Sequence, residues 1–428
     1  MDRKKFLKTG GILFGGSIGI TSLFNTCNAN KTKNKIMDNL KNKNIGEISK
    51  LIRSKQLSPV DLVNNCLAKI KELNPTLNAF ITVLHDEAMK SANIAEKEIN
   101  EGNWKGFLHG IPVAVKDFYD TAGIRTTAGF EKFKDRIPEK DAAVVKLLKE
   151  SGAILIGKTN MHKLGMGTTS VDSYFGSVHN PINPEYVAGG SSGGSAVAVA
   201  TGMCFATVDT DAVGSCRIPA ACCGVIGFKA SNGLINMEGI LAGEKTDEAI
   251  VQFSAAGITT RNVEDTEIML NVLTNNQTKR NNSNIALKIG VVQNFSGNEE
   301  IKKSFLKVSA KLKESGHEIM PIQIPFNKAQ FNIENLKKDR EAVNELLFTK
   351  VDLLLLPTLN DYVPTIEDAK KKGDQAIAPA NTFFCNYFGL PAISIPYEKD
   401  TKGFPLAFQV IGKPMQDYEV LDFAKKIQ

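Results

Sequence analysis

Residues 188–229 constrain this chain more than any other stretch. They open as Ala188-Gly189-Gly190-Ser191-Ser192-Gly193-Gly194-Ser195, a run made only of glycine, serine and alanine. A short apolar helix and a strand-like run follow. A second serine then sits in a turn, Gly214-Ser215, ahead of Arg217-Ile218-Pro219-Ala220. Side chains this small let backbone approach something closely, and glycine supplies conformations that other residues adopt only at a cost.

The flanking sequence alternates between helix and strand patterns. Ser58-Pro59 reads as a helix start, with serine as N-cap and proline in the first turn. Val60, Leu62, Val63, Leu67 and Ile70 give that helix an apolar stripe. Residues 78–83 read as a strand and 87–101 as a mostly polar helix. Residues 110–115 read as a strand closed by Lys116, and 142–151 as a helix stopped by Gly152. Residues 153–157 read as a buried strand, with 158–161 a loop leaving it. A helix is expected over 263–273, opened by Asn262. The Asn-rich segment 274–284 divides the motif-bearing part from a later one. That later part has strands at 287–292, 317–322, 351–357, 391–396 and 406–411, and helices at 299–315 and from 417. This alternation predicts an α/β fold with a covered sheet.

The chain has 428 residues, 42% hydrophobic and 23% charged, enough for one large core or two domains. Its net charge is +6, but Lys4, Lys5, Lys8, Lys31, Lys33, Lys35, Lys41 and Lys43 all precede Ile45. The body is near neutral, which argues against a nucleic-acid partner. The first residues read as an address: a basic start, then an apolar run over 10–24 of roughly 15 residues, too short for a comfortable membrane span. Arg3-Lys4-Lys5-Phe6-Leu7-Lys8 resembles a twin-arginine export signal with lysine for the second arginine. Leu23-Phe24-Asn25-Thr26-Cys27 resembles a bacterial lipoprotein cleavage site, which would make Cys27 a lipidated membrane tether. A plain secretory leader cut near Asn28 is the other reading. Either way the expected location is the bacterial periplasm, free or anchored on the extracytoplasmic side.

Lys116 is unusual in closing an apolar strand, Gly110-Ile111-Pro112-Val113-Ala114-Val115, because burying its charge is costly. It either snorkels to the surface or is a buried base held neutral. Five histidines, His85, His109, His162, His179 and His317, lie outside any catalytic motif and read as structural or surface residues. The seven cysteines show neither zinc-ligand nor disulfide-framework spacing. Cys204, Cys216, Cys222 and Cys223 sit among apolar residues, where free thiols act as small hydrophobes. No cofactor and no metal are expected. A serine mechanism without histidine is what these residues leave to consider.

The motifs together resemble the amidase signature family of serine hydrolases. A lysine follows a G-I-P-V-A-V strand (Lys116). A first serine lies in a G-G-S-S-G-G turn (Ser191), and a second precedes an R-x-P-A run 24 residues later (Ser215). Asp120-Thr121-Ala122-Gly123, Thr126-Thr127-Ala128-Gly129, Gly157-Lys158-Thr159-Asn160-Met161, Gly224-Val225-Ile226-Gly227-Phe228-Lys229 and Gly389-Leu390-Pro391-Ala392 complete the pattern. The resemblance implies a large mixed, twisted β-sheet covered on both sides by helices. With the leader read above, the expected organisation is an export signal over 1–27, a flexible tether over 28–44 and, from the resemblance, an amidase domain over 45–428. The resemblance further implies a Ser-Ser-Lys triad: Ser215 as nucleophile, Ser191 as relay after a cis peptide bond with Gly190, and Lys116 as the base. Backbone N–H groups of Ala212, Val213, Gly214 and Ser215 would form the oxyanion hole, with Ser192, Asp211 and Arg217 supporting the turn.

Two departures stand out. The family usually has Thr-Gly-Gly-Ser or Thr-Ala-Gly-Ser where this chain has Ala212-Val213-Gly214-Ser215, and glycine is common where Asp209 stands. A β-branched Val213 is expected to resist a positive φ or to crowd the carbonyl pocket. The segment between about 326 and 351 is shorter than in many relatives, which predicts an open cleft. The implied function is hydrolysis of a small-molecule carboxylic amide through a serine acyl-enzyme. Two other readings stand beside it. One is a non-catalytic binding or scaffold protein on a decayed amidase fold. The other is the glutamine-hydrolysing component of an aminoacyl-tRNA amidotransferase.

Overall fold

The computed structural model describes residues 40–245, 248–275, 287–324, 331–373 and 376–428. The leader, Cys27 and most of the tether lie outside them. Within Met1–Lys43 only the single 3-10 turn Leu40–Asn42 is described, and Asn44–Gln428 form one compact unit.

Local sequence explains how that unit starts. Asn44 caps the helix Ile45–Arg53 in a reciprocal box with Glu47. Ser58 Oγ accepts from the N–H of Val60 at 3.0 Å, and Pro59 opens the helix Pro59–Leu77. That helix ends at Asn78, which takes the left-handed conformation at φ +51°.

One eleven-stranded sheet runs through the unit. Its strands are β1 (Phe80–Val83), β2 (Pro112–Lys116), β3 (Ile154–Thr159), β4 (Ala206–Asp211), β5 (Ile226–Lys229), β6 (Ala255–Thr260), β7 (Lys288–Val292), β8 (Glu318–Ile322), β9 (Leu353–Pro357), β10 (Ala392–Lys399) and β11 (Pro405–Ile411). Their spatial order is β1-β3-β2-β4-β6-β5-β10-β11-β9-β7-β8. The sheet is mixed: β3, β2 and β4 run parallel, as do β9, β7 and β8, while antiparallel pairs join these blocks. β2, β4, β5, β6, β9 and β11 are buried at every position, as strands covered on both faces must be.

The strands after 273 join the same sheet, because β10 pairs with β5 through Ala392–Lys229. One expectation needs correction. Lys158 and Thr159 are not loop: parallel pairing of Val115 with Lys158 and Lys116 with Thr159 extends β3 to their level. β6, read as no element in the sequence, lies between β4 and β5 near the middle of the sheet. Its sequence, Ala-Ala-Gly-Ile-Thr-Thr, has too few large apolar side chains to announce a strand.

The apolar helix Gly193–Ala200 is fully buried but for its last residue and packs over β2, β3, β4 and β6. The helix Arg217–Cys223 packs beside it, over β5, β10 and β11. Both serine turns therefore lead into helices that rest on the sheet, and β2 and β4 bring their C-terminal ends up to them.

Candidate active site

Lys116 is the last residue of β2 and is fully buried. It does not snorkel. Its Nζ donates to Ser191 Oγ at 2.6 Å and to Thr210 Oγ1 at 2.9 Å. The Phe118 ring centroid lies 5.7 Å from the same nitrogen. Burial brings the lysine pKa down to about 8, against the opposing pull of Asp209 and Asp211. Burial therefore makes this amine far easier to deprotonate than an exposed lysine.

Ser191 is fixed by its backbone. The Gly190–Ser191 peptide is cis, and the Ser191 carbonyl accepts from His162 N at 2.9 Å and Ser170 Oγ at 3.2 Å. Gly190 is required by contact: a Cβ there would lie 2.6 Å from the Thr169 nitrogen. The next residue ties the two turns together, because Ser192 N donates to the Ser215 carbonyl at 3.0 Å. Ser192 supports the turn through this backbone bond and not through its hydroxyl, which is buried without a hydrogen-bond partner among the described residues.

Asp211, the last residue of β4, organises the second turn. Its Oδ1 accepts from Gly214 N at 2.8 Å and its Oδ2 from Cys216 N at 3.2 Å. Arg217 adds Nε to Oδ2 and Nη2 to Oδ1, both at 3.0 Å. Burial by itself would raise the Asp211 pKa, but the Arg217 charge and its hydrogen bonds outweigh it and hold the carboxylate well below its usual range. Arg217 is anchored in turn by Gln409 Oε1 and Asn386 Oδ1, each at 2.7 Å.

The Gly214 N–H is thus occupied by Asp211, which removes it from the expected oxyanion hole. The N–H groups of Ala212, Val213 and Ser215 have no acceptor among the described residues. Val213 is not at positive φ either; Gly214 takes that conformation at φ +122°. A Cβ on Gly214 would lie 2.5 Å from Thr382 Oγ1, which donates to the Val213 carbonyl at 2.5 Å. The β-branched residue is therefore accommodated without backbone strain.

Thr210, Thr382, Asn386 and Gln409 escaped sequence reasoning. Thr210 sits one residue before the noticed Asp211. Asn386 and Gln409 are polar residues in otherwise apolar elements, a signal that points to a buried partner without naming it, and Thr382 stands in the turn before the helix Phe383–Tyr387. The ring nitrogens of His109 and His179 meet Glu98 and the Pro184 carbonyl, and His162 Nδ1 accepts from Ser170 N.

A cavity of about 1190 Å³ opens beside the base, with Thr210 in its wall. Phe118, Phe130, Leu164, Met166, Ile240 and Leu241 make it largely apolar, and Lys132, Glu244, Lys245 and Arg340 are its charged members.

Comparison with known proteins places this geometry. The Amidase family model matches residues 61–333 and 326–421. The chain is 30% identical over 488 residues to one of the subunits of the mitochondrial glutamyl-tRNA(Gln) amidotransferase of Mus musculus, covering 89% of this chain and 92% of the relative. A solved amidase superposes with a TM-score of 0.78 at 26% identity, covering 90% of this chain and 98% of that one. Fatty acid amide hydrolase shares the fold at a TM-score of 0.81 and 20% identity, over 91% and 85% of the two chains. The chain belongs to the amidase signature family, whose members are hydrolases acting on amide C–N bonds.

Proposed function

We propose that this protein hydrolyses a carboxylic amide through an acyl-enzyme on Ser215. Ser215 Oγ attacks the carbonyl carbon while its proton passes to Ser191, which gives its own to Lys116. The N–H groups of Ala212, Val213 and Ser215 receive the oxyanion. As the tetrahedral species collapses the C–N bond breaks, and Lys116 returns the proton to the leaving amine through Ser191. Water then attacks the ester by the same relay. One observation carries this reading: a fully buried lysine, with its pKa near 8, donates to Ser191 Oγ at 2.6 Å. The apolar cavity supports a substrate with a bulky apolar acyl or amine group.

A second reading, glutamine hydrolysis, draws on the likeness to the glutamyl-tRNA(Gln) amidotransferase. The export-type leader speaks for a separate, extracytoplasmic amidase. No helix among the described residues is long and apolar enough to cross a membrane.

Intact mass after exposure to a small fluorophosphonate tests the mechanism. One adduct is expected on the wild type and none on Ser215→Ala. No adduct on folded wild type would favour the non-catalytic reading. Hydrolysis of an aryl anilide, compared with release of ammonia from glutamine, separates the two catalytic readings.

A further inference from the structure

β4 carries two buried carboxylates, Asp209 and Asp211, and only one has its oxygens fully engaged. Arg217 and the turn N–H groups occupy both oxygens of Asp211. Asp209 Oδ2 accepts from Thr259 Oγ1 at 2.7 Å and Thr207 Oγ1 at 2.8 Å. Its Oδ1 is buried without a hydrogen-bond partner among the described residues, although the Ser195 hydroxyl lies close to the carboxyl. A buried, partly satisfied carboxylate is costly and calls for an explanation.

The sheet register supplies one. Val115 pairs with Val208 in the parallel β2–β4 ladder, so the next residues, Lys116 and Asp209, stand side by side. We infer that Asp209 is a positioning residue for the base, its carboxylate serving as the counter-charge to the ammonium that forms on Lys116 during turnover. This rests on the serine mechanism proposed above. When Ser215 loses its proton, the proton ends on Lys116, whose side chain is fully buried. Among the described residues the Nζ donates to the hydroxyls of Ser191 and Thr210, which carry no charge to offset it. A carboxylate in the same buried pocket makes the transfer charge-neutralising instead of charge-creating.

The surroundings fit this role. Asp209 exerts the largest opposite-charge pull on Lys116, ahead of Asp211. Burial pushes the Asp209 pKa up, while Ser195, Thr259, Lys116 and Thr207 pull it back. The other titratable groups facing Asp209 are Tyr119, whose hydroxyl donates to the Asp209 carbonyl at 2.7 Å, and the thiols of Cys204 and Cys216. Burial raises the pKa of all three, so they stay neutral across the range in which Lys116 titrates.

The test is the pH dependence of fluorophosphonate labelling on the full chain. In that reaction Ser215 Oγ bonds to phosphorus, fluoride leaves, and the proton goes to Lys116. Wild-type labelling should rise through an inflection near the Lys116 value of about 8. In Asp209→Asn, which keeps an acceptor for both threonines, the inflection should fall by about one pH unit and the plateau rate by about tenfold. Asp209→Glu, which restores the charge, should bring the inflection back toward wild type. An inflection unmoved in folded Asp209→Asn would overturn the inference. Should that variant not fold, Thr259→Val removes one donor that stabilises the carboxylate. It should lower the inflection in the same direction, and an unchanged profile there is equally decisive against the inference. Labelling that persists in Ser215→Ala would instead reject the serine mechanism itself, so the two failures are distinct.

Discussion

Lys116 and Lys158 lie on adjacent strands, both fully buried, and burial brings both down to about 8. Their partners differ. Lys158 Nζ donates to the Tyr119 carbonyl at 2.5 Å, to Thr126 Oγ1 at 2.7 Å and to Thr121 Oγ1 at 3.2 Å. Asp117 Oδ1 stands 3.6 Å away, and Thr127 holds the other carboxylate oxygen through its N–H and hydroxyl. This lysine keeps three acceptors and a counter-ion around it, one of them a carbonyl that can only accept. It fastens the loop after β2 to the sheet. Lys116 meets two hydroxyls, and a hydroxyl can donate as well as accept. A neutral amine there can take a proton from Ser191. Burial moves both pKa values; the chemistry of the partners distinguishes the lysine proposed as a base from the one that fastens a loop.

Replacing each lysine by methionine would break this contrast most directly. Lys116→Met should slow labelling of Ser215 by about 10⁴-fold while leaving the melting temperature at or above wild type. Comparable loss of activity with loss of fold would remove the distinction. Lys158→Met strands Asp117 without its cation and should cost about 3–5 kcal/mol in a urea melt. The fraction still folded should label at the wild-type rate.

Titration sharpens the comparison further. Lys116 binds a proton with a value near 8 when folded and 10.5 when unfolded. Between those values the unfolded chain holds more protons, so this lysine's contribution to stability rises with pH across that window. Its burial costs most below 8. Any stability that Lys116→Met gains over wild type should therefore be largest at pH 7 and fade toward pH 10.5, as read by denaturant melts at a series of pH values. Labelling by wild type should rise roughly tenfold as the pH is raised from 7 through the inflection. The smallest effect is expected at Thr210→Val, which removes one of the two hydroxyls on Lys116. About fivefold slower labelling with little change in stability would assign that threonine to aiming the amine.

Much of the site was legible because its residues are near one another in sequence or lie in distinctive small-residue runs. Ser191 and Ser215 announce themselves by the glycines around them, and Gly190 and Gly214 are there because neighbouring atoms leave no room for a Cβ. Lys116 was visible as a charge ending an apolar strand, but its burial was not. The serine of the first turn that reaches it is 75 residues away, and no local pattern encodes that meeting. The engagement of the Gly214 N–H was hidden for a related reason. All four N–H groups look equivalent in sequence, and only the fold shows that Asp211 takes the one on Gly214.

The sequence alone determined the alternation of helix and strand, the caps at Asn44 and Ser58, and the residue types of the serine–serine–lysine set. These follow from periodicity, capping chemistry and steric limits that act within a few residues. Tertiary structure decided the rest. It placed the quiet strand β6 inside the sheet, paired β10 with β5, buried two lysines and gave them different company, and left one oxygen of Asp209 without a hydrogen-bond partner among the described residues. Desolvation and long-range pairing exist only once distant segments pack, so no window of sequence can carry them.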